Sequence, residues 1–413
     1  MKKRIFPALH IAAAFMVFGF LCYGCPWLLT AREQSQLWLY NSDYLLHRLS
    51  ENGGVARYAG EFLVQFDYSI FWGAVVTALF FLALEGVWWL VLRRIWQYYR
   101  KSPYPLWLRL LSLIGPILLW SLLLDINVQM TLPVAIFLTM LLSLAIPQRP
   151  VIAFPVTIGL MLTDWWVAGP VCLLLPLLAP WSLLPNASGP RTIGKGALRI
   201  AFLTILLMVV IRLYAPHTNY PLHRLLVGID YVHDAGFAGT SEEQQYDLLV
   251  HLHLWERLLK VSKKQPPKSR ACQYAVLLAE WKLWNTREAE LRQSMQDTWG
   301  SLSSCAASFL MSDLYLQLGW INMSQRAAYE AMVSYPNYNC SGRALKRLTE
   351  MSLITGQYDL VRKYAGILRQ APFYHSWAEE MLQLVEHPER IERNVNCMRL
   401  RQIYHMTPDG MFY

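Results

Sequence analysis

The sequence predicts an all-α protein: a polytopic transmembrane helix bundle of about seven spans over residues 1–215, followed by an α-hairpin soluble domain over 216–413. Three observations predict it. The 413-residue chain is 55% hydrophobic and only 16% charged, with a mean hydropathy of +0.25. Soluble domains carry roughly a quarter charged residues, and here the deficit lies almost wholly before residue 216. The apolar run FWGAVVTALFFLALEGVWWLVL after Ile70 is long enough to cross a bilayer as a helix. Beyond Pro216 the pattern changes to amphipathic helices separated by Gly, Pro, Asn and Ser.

The run after Ile70 fixes the orientation. It closes on Arg93, Arg94, Arg100, Lys101 and Arg109 with no acid among them. Such a cluster is costly to translocate and stays in the cytoplasm. Met1–Arg4 is a second basic start, and Ile5–Leu29 is too long for an ordinary signal-peptide core, so it reads as a retained first helix with its N-terminus inside. Residues 30–69 form an external connection. Leu37, Trp38, Tyr44, Leu45 and Leu49 recur at helical spacing, Asn52-Gly53-Gly54 breaks the chain, and Val55, Tyr58, Ala59, Phe62, Leu63 and Phe66 mark a second apolar face. Two helices lying in the membrane interface fit this pattern.

Leu106–Leu124 reads as the third span and Met130–Ile146 as the fourth. Val151–Leu184 is too long for one span and barely enough for two; it reads as a short hairpin turning near Asp164–Pro170, with a re-entrant pair as the alternative. Arg191, Lys195 and Arg199 mark the cytoplasm again before a last span, Ile200–Tyr214. An odd number of crossings places the tail outside, which in a bacterial inner membrane means the periplasm. The same positive-inside bias explains the net charge of +9 without nucleic acid.

One repeat is visible in the tail. Tyr315–Pro336 and Leu348–Pro372 each run from an apolar helix to a glycine (Gly319, Gly356), an aromatic (Trp320, Tyr358), a second helix and a proline. The two glycines are 37 positions apart, close to the spacing of tetratricopeptide helix pairs, with weaker copies at Tyr274–Trp299 and Leu254–Pro267. Four tail cysteines (Cys272, Cys305, Cys340, Cys397) permit two disulfides in three pairings if the compartment is oxidising.

The block EQSQLWLYNSDYLLHRLSENGGVARYAGEFLVQFDYSIFWGA and the tail stretch YDLLVHLHLWERLLK resemble a domain-of-unknown-function family of multi-pass membrane proteins found mainly in Bacteroidales-type bacteria. The family has no established activity, so the resemblance implies architecture and location alone.

Candidate chemistry is sparse. Glu85 lies inside the second span, where a carboxylate must face the bundle, be neutralised, or mark a polar pathway. Asp125 and Asp164 fall at predicted ends and need no role. Glu33, Asp43, Arg48, Arg57, Glu61 and Asp67 share the first external segment. There a carboxylate such as Glu33 can act as general base on an acceptor hydroxyl while Arg48 or Arg57 holds a phosphate, as in polytopic transferases that use lipid-linked sugar. Cys22-Tyr-Gly-Cys25 could exchange electrons with thiols or simply pack. His251 and His253, two apart, project to different helix faces and are poor joint ligands. No zinc spacing, phosphate loop or nucleophile elbow occurs, so neither a cofactor nor a metal is expected. The leading expectation is a membrane-anchored periplasmic scaffold, embedded in membrane lipid, that binds a protein partner. The alternative is a glycosyltransferase-like enzyme using lipid-linked sugar at the outer leaflet, with Glu33, Arg48, Arg57 and Glu85 as its candidate residues.

Overall fold

The computed structural model describes residues 2–100, 103–184, 190–218, 221–228, 231–232, 238–285, 288–295, 302–334, 341–393 and 395–406. Lys101, Trp299, Pro336 and Cys340 lie outside the described residues, as do the side chains of Lys2, Lys3, Arg4 and Arg191. The described residues are helical throughout apart from turns, and the sole strand-like pairing among them is an isolated antiparallel bridge between Val128 and Val232.

The chain forms two compact units that no single cut in the sequence separates. The first comprises Met1–Phe20, Ser42–Leu63 and Ala74–His233; the second comprises Leu21–Asn41, Val64–Gly73 and Asp234–Tyr413.

Among the described residues, three stretches are long and apolar enough to cross a membrane: Ile70–Arg100, Val151–Leu178 and Gly194–His217. A fourth exists if the pair His10–Gly24 and Pro26–Ser35, bent by 85°, is counted as one. The bend falls where Pro26 opens a new helix, since a proline lacks the N–H that would continue the old one. Trp107–Leu122 and Thr131–Ser143 are apolar but shorter. At about 1.5 Å per residue each is shorter than the roughly 30 Å of a hydrocarbon core.

The Val151–Leu178 stretch is not one rod. Its helix, Pro150–Ala168, ends at Gly169 with φ of 72°, and short helical turns then fold back along it. The Trp181 indole N–H consequently reaches the Pro147 carbonyl at 2.9 Å, at the helix's opposite end. The turn expected near Asp164–Pro170 is at Gly169. Asp164 does not sit at an exposed end: it is fully buried inside the helix, and the Thr139 hydroxyl donates to it at 2.8 Å.

Basic residues expected at the cytoplasmic side close helix ends here. Arg94 donates to the carbonyls of Leu144 and Ile146, beyond the Thr131–Ser143 helix, and Arg199 donates to Ser182. This meets carbonyls that the helix itself leaves unpaired. Met161, Trp165, Cys172, Trp181, Leu203 and Ile211 fill the interior. Val151, Leu198, Ile205 and Leu213 are exposed, an outward apolar surface that suits lipid.

The external segment departs from its periodicity. The first helix ends at Ser35, Gln36 is extended, and a new helix runs Ser42–Ser50. Leu37 and Trp38 therefore do not share a helix with Tyr44; both are buried, and Leu37 belongs to the core of the second unit. The Asn52-Gly53-Gly54 break is a tight corner. Gly53 has φ of 73°, its N–H donates to Trp166, and a Cβ there would lie 3.3 Å from the Gly169 nitrogen.

In the second unit the tail builds helical hairpins. Cys305–Leu318 pairs with Ile321–Val333 across Gly319, and Gly342–Thr355 pairs with Tyr358–Leu368 across Gly356. Both glycines end their helices in the left-handed conformation, each with φ of 79°. The 21–41 segment packs into this array: Pro26–Ser35 lies on Ser241–His251 and Gly342–Thr355, and the Tyr40 N–H donates to the Gln370 carbonyl at 2.8 Å. Cys272, Cys305 and Cys397 are buried, and none of them, nor Cys22 or Cys25, forms a disulfide among the described residues.

Candidate functional site

A cavity that joins a buried carboxylate to a buried cation lies wholly within the second unit. Three parts of the chain line it: Glu33 and Gln34 from the Pro26–Ser35 helix, Tyr68 to Phe71 from the 64–73 segment, and His251, Arg343, Lys346 and Tyr374 from the tail. The cavity has a volume of about 390 Å³.

Its wall is set by a buried ionic network. Arg343 stands in the first turn of Gly342–Thr355, whose N-cap Ser341 accepts from the Ala344 N–H. Its guanidinium makes a two-pronged contact with Asp247 at 2.6 and 2.8 Å and reaches Asp313 at 2.7 Å. Arg347 also pairs with Asp313, and His251 Nδ1 lies 3.2 Å from it. Asp247, Asp313 and Arg343 come from three different helices and are all less than a tenth exposed. Burial alone would raise the Asp313 carboxyl, but Arg343, Arg347 and His251 hold it well below the usual carboxylate range. A fork of planar donors suits this task better than an ammonium would.

Glu33 faces the opposite requirement. Its helix is bent by 85° from the preceding one and packs on tail helices. It is 4% exposed, and the Tyr374 hydroxyl donates to it at 2.7 Å. Burial pushes its carboxyl up to about 7, against the pull of that hydrogen bond and of Arg343 and Lys346. Burial and the neighbouring Glu33 raise the Tyr374 phenol well above its ordinary value, so it stays a donor. Close by in the chain, Asp67 is pushed up to about 8 by burial, with Arg32 opposing and Glu33 adding. Glu33 can therefore take up or release a proton near neutral pH, the condition for general acid–base work or for accepting a ligand hydroxyl.

The other three candidates are elsewhere, in the first unit. Arg48 and Arg57 converge on Glu61, with Nε···O distances of 2.9 and 3.1 Å, and Arg57 also holds Glu51 at 2.7 Å. Tyr44 completes the cluster through its hydroxyl. This joins the helices on either side of the Gly53 corner. Glu85 meets the His10 imidazole and the Ser112 hydroxyl beside a cleft of about 40 Å³ lined by Ala13, Val17, Phe81 and Leu113. A polar link between neighbouring helices describes it. No cluster of three metal-ligating side chains exists among the described residues.

Sequence reading passed over Asp247, Asp313, Arg343, Lys346 and Tyr374. Asp313 carried a signal: it is the single charge in CAASFLMSDLYLQL, the feature that drew attention to Glu85. His251 and His253 do not share a helix, since His253 lies past the helix end at φ of 56°; the partner of His251 is Asp313.

No curated protein and no solved structure matches the chain. One family model does, over residues 1–237 and again over 237–412, and its description is a family of unknown function, DUF6057. Those two matches take in nearly all of the chain, which therefore belongs to that family of unknown function.

Proposed function

We propose that this protein is a multi-pass inner-membrane scaffold whose helical-hairpin unit, of tetratricopeptide type, holds a protein partner on the periplasmic side. The observation that carries the reading is a groove of about 680 Å³ in the second unit, lined by Trp281, Met351 and Trp377 together with Lys282, Glu288 and Arg292. Stacked hairpins create such concave surfaces, and aromatic and Met side chains suit a helical partner. Three stretches long and apolar enough to cross a bilayer support the membrane reading, and an odd number of crossings would leave the tail outside. The transferase alternative needs Arg48 or Arg57 to hold a phosphate while Glu33 acts as base on an acceptor hydroxyl. The two arginines are engaged by Glu61 and Glu51, which favours the scaffold.

A photo-crosslinking residue at position 377 in the full-length protein, activated in intact cells, tests it. A discrete adduct absent when the probe is moved to the exposed Arg362 supports the reading. No adduct, or the same adducts from both positions, refutes it. A reporter fused after Tyr413 that is active only in the cytosol would reverse the side.

A further inference from the structure

The groove explains the hairpin array but gives no use for the Glu33 cavity. We infer that this cavity is a binding site for a hydroxyl-bearing phosphate, the phosphate meeting Lys346, Gln34 and His251 and a hydroxyl meeting Glu33.

The lining residues carry unspent donors. Arg343 is matched by Asp247 and Asp313, which stand behind it and do not line the cavity. Lys346 has no carboxylate within ion-pair distance among the described residues; its neighbour is the Trp377 ring, 5.3 Å from the ammonium. Gln34 is 3% exposed, and its Nε2 is buried with no acceptor. A buried donor without a partner carries a desolvation cost that a ligand oxygen would remove. His251 has Nδ1 turned to Asp313. That contact fixes the ring and leaves its second nitrogen for another partner.

These donors choose the ligand. Gln34, His251 and Lys346 stand on three separate helices, so an anion must offer oxygens in several directions. A tetrahedral phosphate does this and a planar carboxylate does not. Glu33 is the one acid lining the cavity. Its partner should be a hydroxyl rather than a second anion. Thr30, Ser69 and Tyr68 add further hydroxyls, and Ile70, Phe71, Leu248 and Leu252 give an apolar side. Ile70 and Phe71 open the helix Ile70–Arg100, itself long and apolar enough to span a bilayer. A polyol-phosphate lipid headgroup and a soluble polyol phosphate present the same chemistry here.

The full-length protein decides between them. In nonionic detergent, sn-glycerol 3-phosphate is titrated while hydrogen exchange is followed in segments 26–35 and 342–355. In parallel, the protein is placed in phosphatidylcholine nanodiscs with or without phosphatidylglycerol. Protection by glycerol phosphate supports a soluble ligand; protection by phosphatidylglycerol alone supports a lipid headgroup. K346Q should weaken the response about tenfold, the worth of one charge-assisted hydrogen bond. Q34L should weaken it without changing charge, and R362Q, at an exposed pair elsewhere, should leave it intact. Far-UV circular dichroism verifies that each variant is folded. No protection by either probe, or an unaltered response in folded K346Q and Q34L, overturns the inference.

Discussion

Replacing Glu33 by glutamine should flatten the pH dependence of stability in the second unit. Glutamine keeps the size of the side chain and an oxygen to accept from Tyr374, but it cannot ionise. In the folded protein burial raises the Glu33 carboxyl from 4.5 to about 7. Between those values the folded state holds a proton that the unfolded chain has released. Stability is therefore full below about pH 4.5 and falls as pH rises toward 7 and beyond. Each pKa unit is worth about 1.4 kcal/mol, so the loss is on the order of 3 kcal/mol. The groups that set it are Tyr374, Arg343 and Lys346 around the carboxyl, and Asp67, which is itself pushed up to about 8 and slopes the same way. At roughly 2–4 °C per kcal/mol for a unit of this size, wild type should lose about 5–10 °C in Tm between pH 5 and pH 8 from Glu33 alone. Thermal unfolding of full-length protein in detergent, followed by tryptophan fluorescence, measures it. E33Q should lose clearly less, keeping the share that belongs to Asp67. An E33Q variant with the wild-type slope would show that Glu33 ionises freely in the folded state, and the account of its burial would be wrong.

R343M should destabilise the second unit by about 3–5 kcal/mol, because it leaves Asp247 and the doubly paired Asp313 facing one another without the cation between them; chemical denaturation would show the shift, and a loss below about 1 kcal/mol would refute the network's role. G53A should cost more than about 1 kcal/mol, since alanine resists φ of 73° and its Cβ would press on the Gly169 backbone. Thermal unfolding of G53A against a G86A control, where a Cβ meets nothing, separates strain from helix preference.

Local patterns carried much of the architecture. The run after Ile70 opens a helix of 31 residues, because a long apolar run leaves the backbone no better partner than itself. Gly319 and Gly356 ended their helices where the repeat placed them, since a left-handed C-cap is the conformation glycine adopts without strain. Periodicity misled where burial came from afar. Leu37 and Trp38 fit a helical face, yet the chain there is extended and Leu37 is covered by residues of the tail.

The sequence by itself determined that the chain is helical, that its first half is apolar and basic in the places a membrane favours, and that its tail is made of hairpins; these depend on neighbours within a turn or two. The tertiary structure alone decided which charges meet. Glu33 finds Tyr374 across 341 positions and Arg343 finds Asp247 across 96. No periodicity extends that far: such pairs form because the folding of the intervening helices brings them into a space from which water has been removed, where an unmatched charge would be too costly to keep.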